Sequence, residues 1–97
     1  MANNAPDFLV HNAKDSVGVV VVENINAQDT LTGWVMDTDE TISITSLDAI
    51  PLGHKVALCD LSDEATVYKY GHDIGRAVAN ISKGNHVHVH NLKTKRW

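Results

Sequence analysis

Histidine is the residue type in this chain with the widest chemical reach, and three of the six histidines stand at alternate positions in His86-Val87-His88-Val89-His90-Asn91. An imidazole changes charge near neutral pH and is the commonest nitrogen ligand for metals, so a row of them needs either a chemical or a solvent explanation. In an extended strand the side chains alternate between faces, which predicts His86, His88 and His90 on one face and Val87 and Val89 on the other. Same-face neighbours are then about 6.6 Å apart and the outer two about 13 Å apart. A metal holds each imidazole nitrogen at about 2.0–2.1 Å, so an adjacent pair can chelate but all three cannot without a bulge. The competing explanation is the wet face of an edge strand. Further ligands or proton-transfer partners would come from His54 and His72, each beside a glycine in a predicted loop.

A second constellation is Ile50-Pro51-Leu52-Gly53-His54-Lys55. Glycine lets backbone amides approach a ligand, and the histidine and lysine after it supply a general acid or base and a cationic anchor, equipment that suits an α-hydroxy acid. The same residues also make an ordinary loop before a strand. A third is Tyr68-Lys69-Tyr70-Gly71-His72-Asp73-Ile74-Gly75-Arg76, with Lys69 and Arg76 as anion partners and the two tyrosines on one strand face at the core edge. Cys59 is the sole cysteine, which excludes an internal disulfide and a thiolate zinc cluster, and its apolar neighbours predict a buried, inert thiol. There is no phosphate-cradling glycine loop, nucleophile elbow or dinucleotide fingerprint.

The elements that must position these residues read as strands. Phe8-Leu9-Val10 is a short apolar run, and Val17-Gly18-Val19-Val20-Val21-Val22 is β-branched enough to predict a strand buried on both faces. Residues 30–36 and 41–45 alternate around the polar turn Asp37-Thr38-Asp39-Glu40, predicting an antiparallel pair. Residues 56–61 and 66–70 predict two more strands around Ser62-Asp63-Glu64-Ala65, residues 71–75 a loop, and residues 74–81 a further strand. A spacing recurs: Asn24-Ile25 with Leu31, Asp60-Leu61 with Val67, and Asn80-Ile81 with Val87. In each a polar residue precedes an apolar one, and the next apolar strand residue lies six positions on. The copies are unevenly spaced, which predicts one corner geometry reused in a compact β fold rather than a solenoid.

Composition narrows the class. A chain of 97 residues with 43% hydrophobic and 21% charged residues is one small domain with a single core. No apolar run approaches the roughly 20 residues of a membrane helix, and the N-terminus lacks a basic start and an apolar core, so the expectation is a cytoplasmic protein without a membrane partner. A formal charge of −4 argues against nucleic acid as a partner. The basic Lys93, Lys95 and Arg96 near the C-terminus suit an anionic substrate, a partner surface or plain solvent.

Taken in order, Ile50-Pro51-Leu52-Gly53-His54-Lys55-Val56-Ala57-Leu58, then Tyr70-Gly71 and Ile74-Gly75-Arg76-Ala77, then Gly84 with Val87-His88-Val89-His90-Asn91, resemble the SAF-like domain at the N-terminus of altronate and galactarate dehydratases. The resemblance covers residues 8–97, leaving 1–7 as a flexible N-terminus, and implies a mostly β, single-domain β-clip fold with at most short helical turns. It implies a small subunit of a two-component lyase that completes the active site of a larger catalytic (beta) subunit. The implied reaction is β-elimination on a small anionic hydroxy acid: loss of sulfite from (2R)-3-sulfolactate to leave pyruvate or, alternatively, of water from a sugar acid. A non-catalytic assembly or metal-binding module is a further alternative. The implied cofactor is a divalent metal, iron(II) in the related dehydratases, bound mainly by the large subunit. The expected roles are catalysis for His54, Lys55 and His88, substrate contacts for Gly53, Lys55, Tyr70, Gly71 and Asn91, and metal ligation for His88 and His90. His86 departs from the shared pattern and is expected at the surface, outside the principal site.

Overall fold

The computed structural model of the chain describes residues 5–69, 72–88 and 90–93, with the backbone alone at 69, 72 and 73. Tyr70 and Gly71, expected at the substrate, lie outside the described residues, as do Lys95 and Arg96. Among the described residues there are nine strands and no helix: β1 (Phe8–Val10), β2 (Val17–Val20), β3 (Thr30–Val35), β4 (Glu40–Thr45), β5 (Lys55–Ala57), β6 (Thr66–Lys69), β7 (His72–Ala77), β8 (His86–Val87) and β9 (Leu92–Lys93). They form a six-stranded sheet in the order β4-β3-β1-β2-β5-β8 and a three-stranded sheet in the order β6-β7-β9. The fold is mostly β and SAF-like, as the resemblance implied.

Two apolar clusters hold the sheets. Phe8, Val10, Val20, Ile25, Leu31, Val35, Ile44, Ile50 and Val56 make one, and Val17, Ala57, Leu61, Val67, Ala77, Ile81 and Val87 the other. The strands β2 and β5 contribute to both, because neighbouring residues such as Val56 and Ala57 point to opposite faces. The expectation of a strand buried on both faces therefore holds for Val17–Val20, whereas Val21 is exposed. Phe8 lies where β1 pairs antiparallel with β2 and parallel with β3. Its ring takes the space a side chain would need at Gly33, where an added Cβ would stand 2.1 Å from it.

The recurring corner is present four times. The bridge residues Ile25, Ile50, Leu61 and Ile81 pair as Ile25 with Ile50 and Leu61 with Ile81, and the residue six places after each, Leu31, Val56, Val67 or Val87, is buried. Three places after each bridge the backbone is left-handed, at Gln28, Gly53, Glu64 and Gly84. A turn hydrogen bond closes every corner: Asp29 N to Asn26 O, His54 N to Pro51 O, Ala65 N to Ser62 O and Asn85 N to Ser82 O. The copy at Ile50 escapes the sequence pattern because Ala49 stands where the others have Asn or Asp.

Five sequence expectations need correction. Residues 58–61 are not strand; Leu58 N bonds Ser16 O, and the chain then bends, leaving Cys59 exposed rather than buried. Burial of part of the side chain and the Asp60 carboxylate, opposed by Lys83, nevertheless push its thiol above the ordinary value. Residues 72–75 belong to β7, because the β6–β7 hairpin carries pairing as far as His72 opposite Lys69. The strand predicted to reach residue 81 ends at Ala77, and Ile81 makes a corner bridge instead. The histidine strand is also short: β8 contains only His86 and Val87.

Candidate functional site

The corner between Ile50 and Val56 positions His54. In two sister corners the corresponding residue caps its own turn, Asp29 Oδ2 accepting Asn26 N at 2.8 Å and Asn85 Oδ1 accepting Ser82 N at 2.6 Å. Here the donor position is Pro51, which has no N–H to satisfy. The place otherwise given to a capping oxygen is free to carry an imidazole. The corner is stitched to β2 by Gly53 N to Val20 O at 2.8 Å and Val20 N to His54 O at 2.9 Å. The Gly53 amide, expected to approach a ligand, is thus committed to the sheet.

Pairing of β5 with β8 brings the other histidines to His54. The antiparallel register sets Lys55 opposite Val87 and Val56 opposite His86, and one further step sets His54 opposite His88. His54 and His88 stack face to face, with ring centroids 3.8 Å apart and planes inclined by 15°. His54 and His86 meet edge to edge, Nδ1 to Nε2 at 2.7 Å, with centroids 5.0 Å apart. Lys55, the first residue of β5, lies near enough for its ammonium to act on the His88 imidazole. His72 begins β7, on the other sheet.

After His88 the chain turns instead of continuing as a strand. The His88 carbonyl accepts Asn91 N at 3.1 Å and Leu92 N at 3.0 Å. Asn91 is buried, and its amide holds the turn from inside: Oδ1 accepts His88 N at 3.0 Å, and Nδ2 donates to His86 O at 2.8 Å. Both ends of this amide are engaged by backbone, so its geometry serves to position the histidines. The turn carries His90 back against His86, with centroids 5.0 Å apart and planes at 42°. The extended row drawn from the sequence is therefore replaced by a cluster of four imidazoles.

His86, expected at the surface, is half-buried at the centre of this cluster. Its backbone N–H donates to Asp48 Oδ2 at 2.8 Å, and Asn85 Nδ2 donates to the same oxygen at 3.0 Å. Asp48 had no signal of its own in the sequence. Burial, then the charges of His54, His90 and His88, hold the His86 imidazole below its ordinary value, against the opposing pull of Asp48. His88 is lowered too, first by desolvation and then by His54, Lys55 and His90. Burial and the neighbouring cationic groups therefore oppose a positive charge on His86 and on His88.

The divalent metal implied by the resemblance does not fit this arrangement as a complete centre. A metal draws the in-plane lone pairs of its ligands to one point at about 2.0–2.1 Å. Rings stacked 3.8 Å apart with nearly parallel planes do not share such a point, so His54 and His88 do not hold one ion together. Among the described residues no group of three or more His, Cys, Asp or Glu is placed to hold a metal. Arg76, named as an anion partner, bonds Glu64 at 3.0 Å on the surface. A cavity of about 370 Å³ beside Ser43 and Lys83 and another of about 390 Å³ beside Trp34 lie away from the histidines.

Comparison with known proteins shows the family. Residues 6–95 match the family described as the altronate/galactarate dehydratase SAF domain. The chain is 60% identical over 91 residues to the (2R)-sulfolactate sulfo-lyase subunit alpha of Chromohalobacter salexigens, covering 94% of this chain and 97% of that one. It is 48% identical over 63 residues to the protein of the same name from Paracoccus pantotrophus, 65% of this chain and 94% of the relative. It is also 47% identical to the altronate dehydratase of Bacillus subtilis over 53 residues, 55% of this chain but 11% of that much longer protein. With nearly its whole length matched, the chain belongs to the altronate/galactarate dehydratase SAF-domain family.

Proposed function

We propose that this chain is the small (alpha) subunit of a cytoplasmic carbon–sulfur lyase that converts (2R)-3-sulfolactate to pyruvate and sulfite. The similarity to sulfo-lyase alpha subunits over 97% and 94% of their lengths supports the assignment to such a subunit. The observation that carries the chemistry is the imidazole cluster, with His54 bonded to His86 and stacked on His88. β-Elimination needs a base for the proton α to the carboxylate and stabilisation of the charge that develops as the leaving group departs. His54 takes that proton, the C–S electrons leave with sulfite, and the resulting enol relaxes to pyruvate. His88 and Lys55 supply an acid and a cation at the substrate, and Gly53, Tyr70 and Gly71 are further substrate-binding residues. Asn91, expected at the substrate, acts through the turn that it holds. The larger beta subunit provides the rest of the site and holds the divalent metal.

The experiment is reconstitution. Neither this chain nor its large partner alone should release sulfite from sulfolactate, and the mixture should. Full activity of the large subunit without this chain would remove the catalytic assignment. The altronate dehydratase similarity supports a second reading, a module for dehydration of a sugar acid. Turnover of altronate but not sulfolactate by the reconstituted pair would select it.

A further inference from the structure

Asp48, His86 and His54 form a connected row. The carboxylate binds the backbone N–H of His86, and the far end of the His86 ring meets His54. A hydrogen bond between two neutral imidazoles needs one nitrogen protonated and the other bare. The electrostatics decide which. In histidine Nδ1 lies nearer the backbone than Nε2, and here the backbone end is the one that carries the negative Asp48. A negative charge there favours the His86 proton on Nδ1, leaving the Nε2 lone pair to accept from His54 Nδ1–H. His54 then presents a bare Nε2 away from the pair, which is the form a general base requires. The face of the same ring is held by His88 and its backbone by β2, so the direction of that lone pair is fixed as well.

We propose that His86 is a positioning residue that holds His54 in the Nδ1–H tautomer, with Asp48 setting the orientation of the pair. It gives His86 the role that a buried carboxylate plays toward a catalytic histidine elsewhere, choosing a tautomer without touching substrate. The catalytic consequence rests on the lyase reading above; the tautomer does not.

Two measurements on the full chain separate the two. Histidine nitrogen NMR of the wild-type chain near pH 7.5 should show His54 protonated at Nδ1 and bare at Nε2. H86F, which keeps a ring but no acceptor, should release His54 into a mixture of tautomers, and H86Q, whose amide oxygen can accept, should restore the Nδ1–H form. D48N should shift the population in the same direction as H86F and serves where H86F fails to fold. In the complex with the large subunit, H86F should lower kcat about tenfold or more with little change in KM, and H86Q should recover most of it. A His54 protonated at Nε2 in the wild type, or unaltered by H86F and D48N, overturns the assignment even if sulfite is released normally. The expected tautomer without elimination on reconstitution would instead remove the lyase reading and leave the assignment standing.

Discussion

At the scale of single residues, the site depends on what each imidazole is next to. His86 and His88 are both held below their ordinary value of 6.5, the first mainly by burial and the second by desolvation with His54, Lys55 and His90 nearby. His54, His88 and His90 face His86 as like charges when protonated, and only Asp48 opposes them. Both groups therefore bind protons more readily in the unfolded chain. Their stability contribution is complete above pH 6.5, falls as the pH drops through that value, and levels off below the depressed folded values. Urea midpoints measured between pH 8 and 5 should decline on the acid side, and the H86Q variant should flatten part of that decline. An equal decline in the H86Q/H88Q double variant would assign the effect to other groups.

At the scale of elements, the corner is the unit that the chain reuses, and its left-handed position separates two kinds of glycine. At Gly53 the backbone has φ +88° and a Cβ would meet nothing within 4 Å. At Gly84 φ is +93° and a Cβ would stand 2.2 Å from the Thr45 carbonyl oxygen. Gly53→Ala should therefore cost about 1 kcal/mol of backbone strain alone. Gly84→Ala adds a clash with backbone that does not yield easily, for about 3 kcal/mol or more. Denaturant titration of the two variants tests the distinction, and equal losses would contradict it. Gln28 and Glu64 occupy the same position without being glycine, so the corner tolerates the conformation where space is open.

At the scale of the whole molecule, β2 and β5 join the two apolar clusters into one cooperative structure, because each presents buried residues to both. Phe8→Ala in the first cluster should cost about 3–5 kcal/mol and Val67→Ala in the second roughly 2 kcal/mol. Both should shift one common transition, seen alike by circular dichroism and tryptophan fluorescence. Separate transitions for the two clusters would show that the shared strands do not couple them. The histidine site adjoins β5 and β8, at the end of the larger sheet, so its geometry inherits this coupling.

Local sequence determined the elements: the β-branched run at Val17–Val20, the alternation around residues 37–40, and the six-residue interval from Ile25, Leu61 and Ile81 to their strands are all legible because strand periodicity and turn chemistry act over a few residues. The ordered set from Ile50–Leu58 through Tyr70-Gly71, Ile74–Ala77 and Gly84 to Val87–Asn91 indicated the family. The meeting of His54 with His86, 32 residues away, was decided by tertiary structure. It follows from the register of β5 on β8, the Asp48 anchor and the turn that Asn91 closes, none of which periodicity encodes. For that reason His86 looked peripheral in the sequence and is central in the fold: alternation assigns a side chain to a face, while long-range packing selects what it faces.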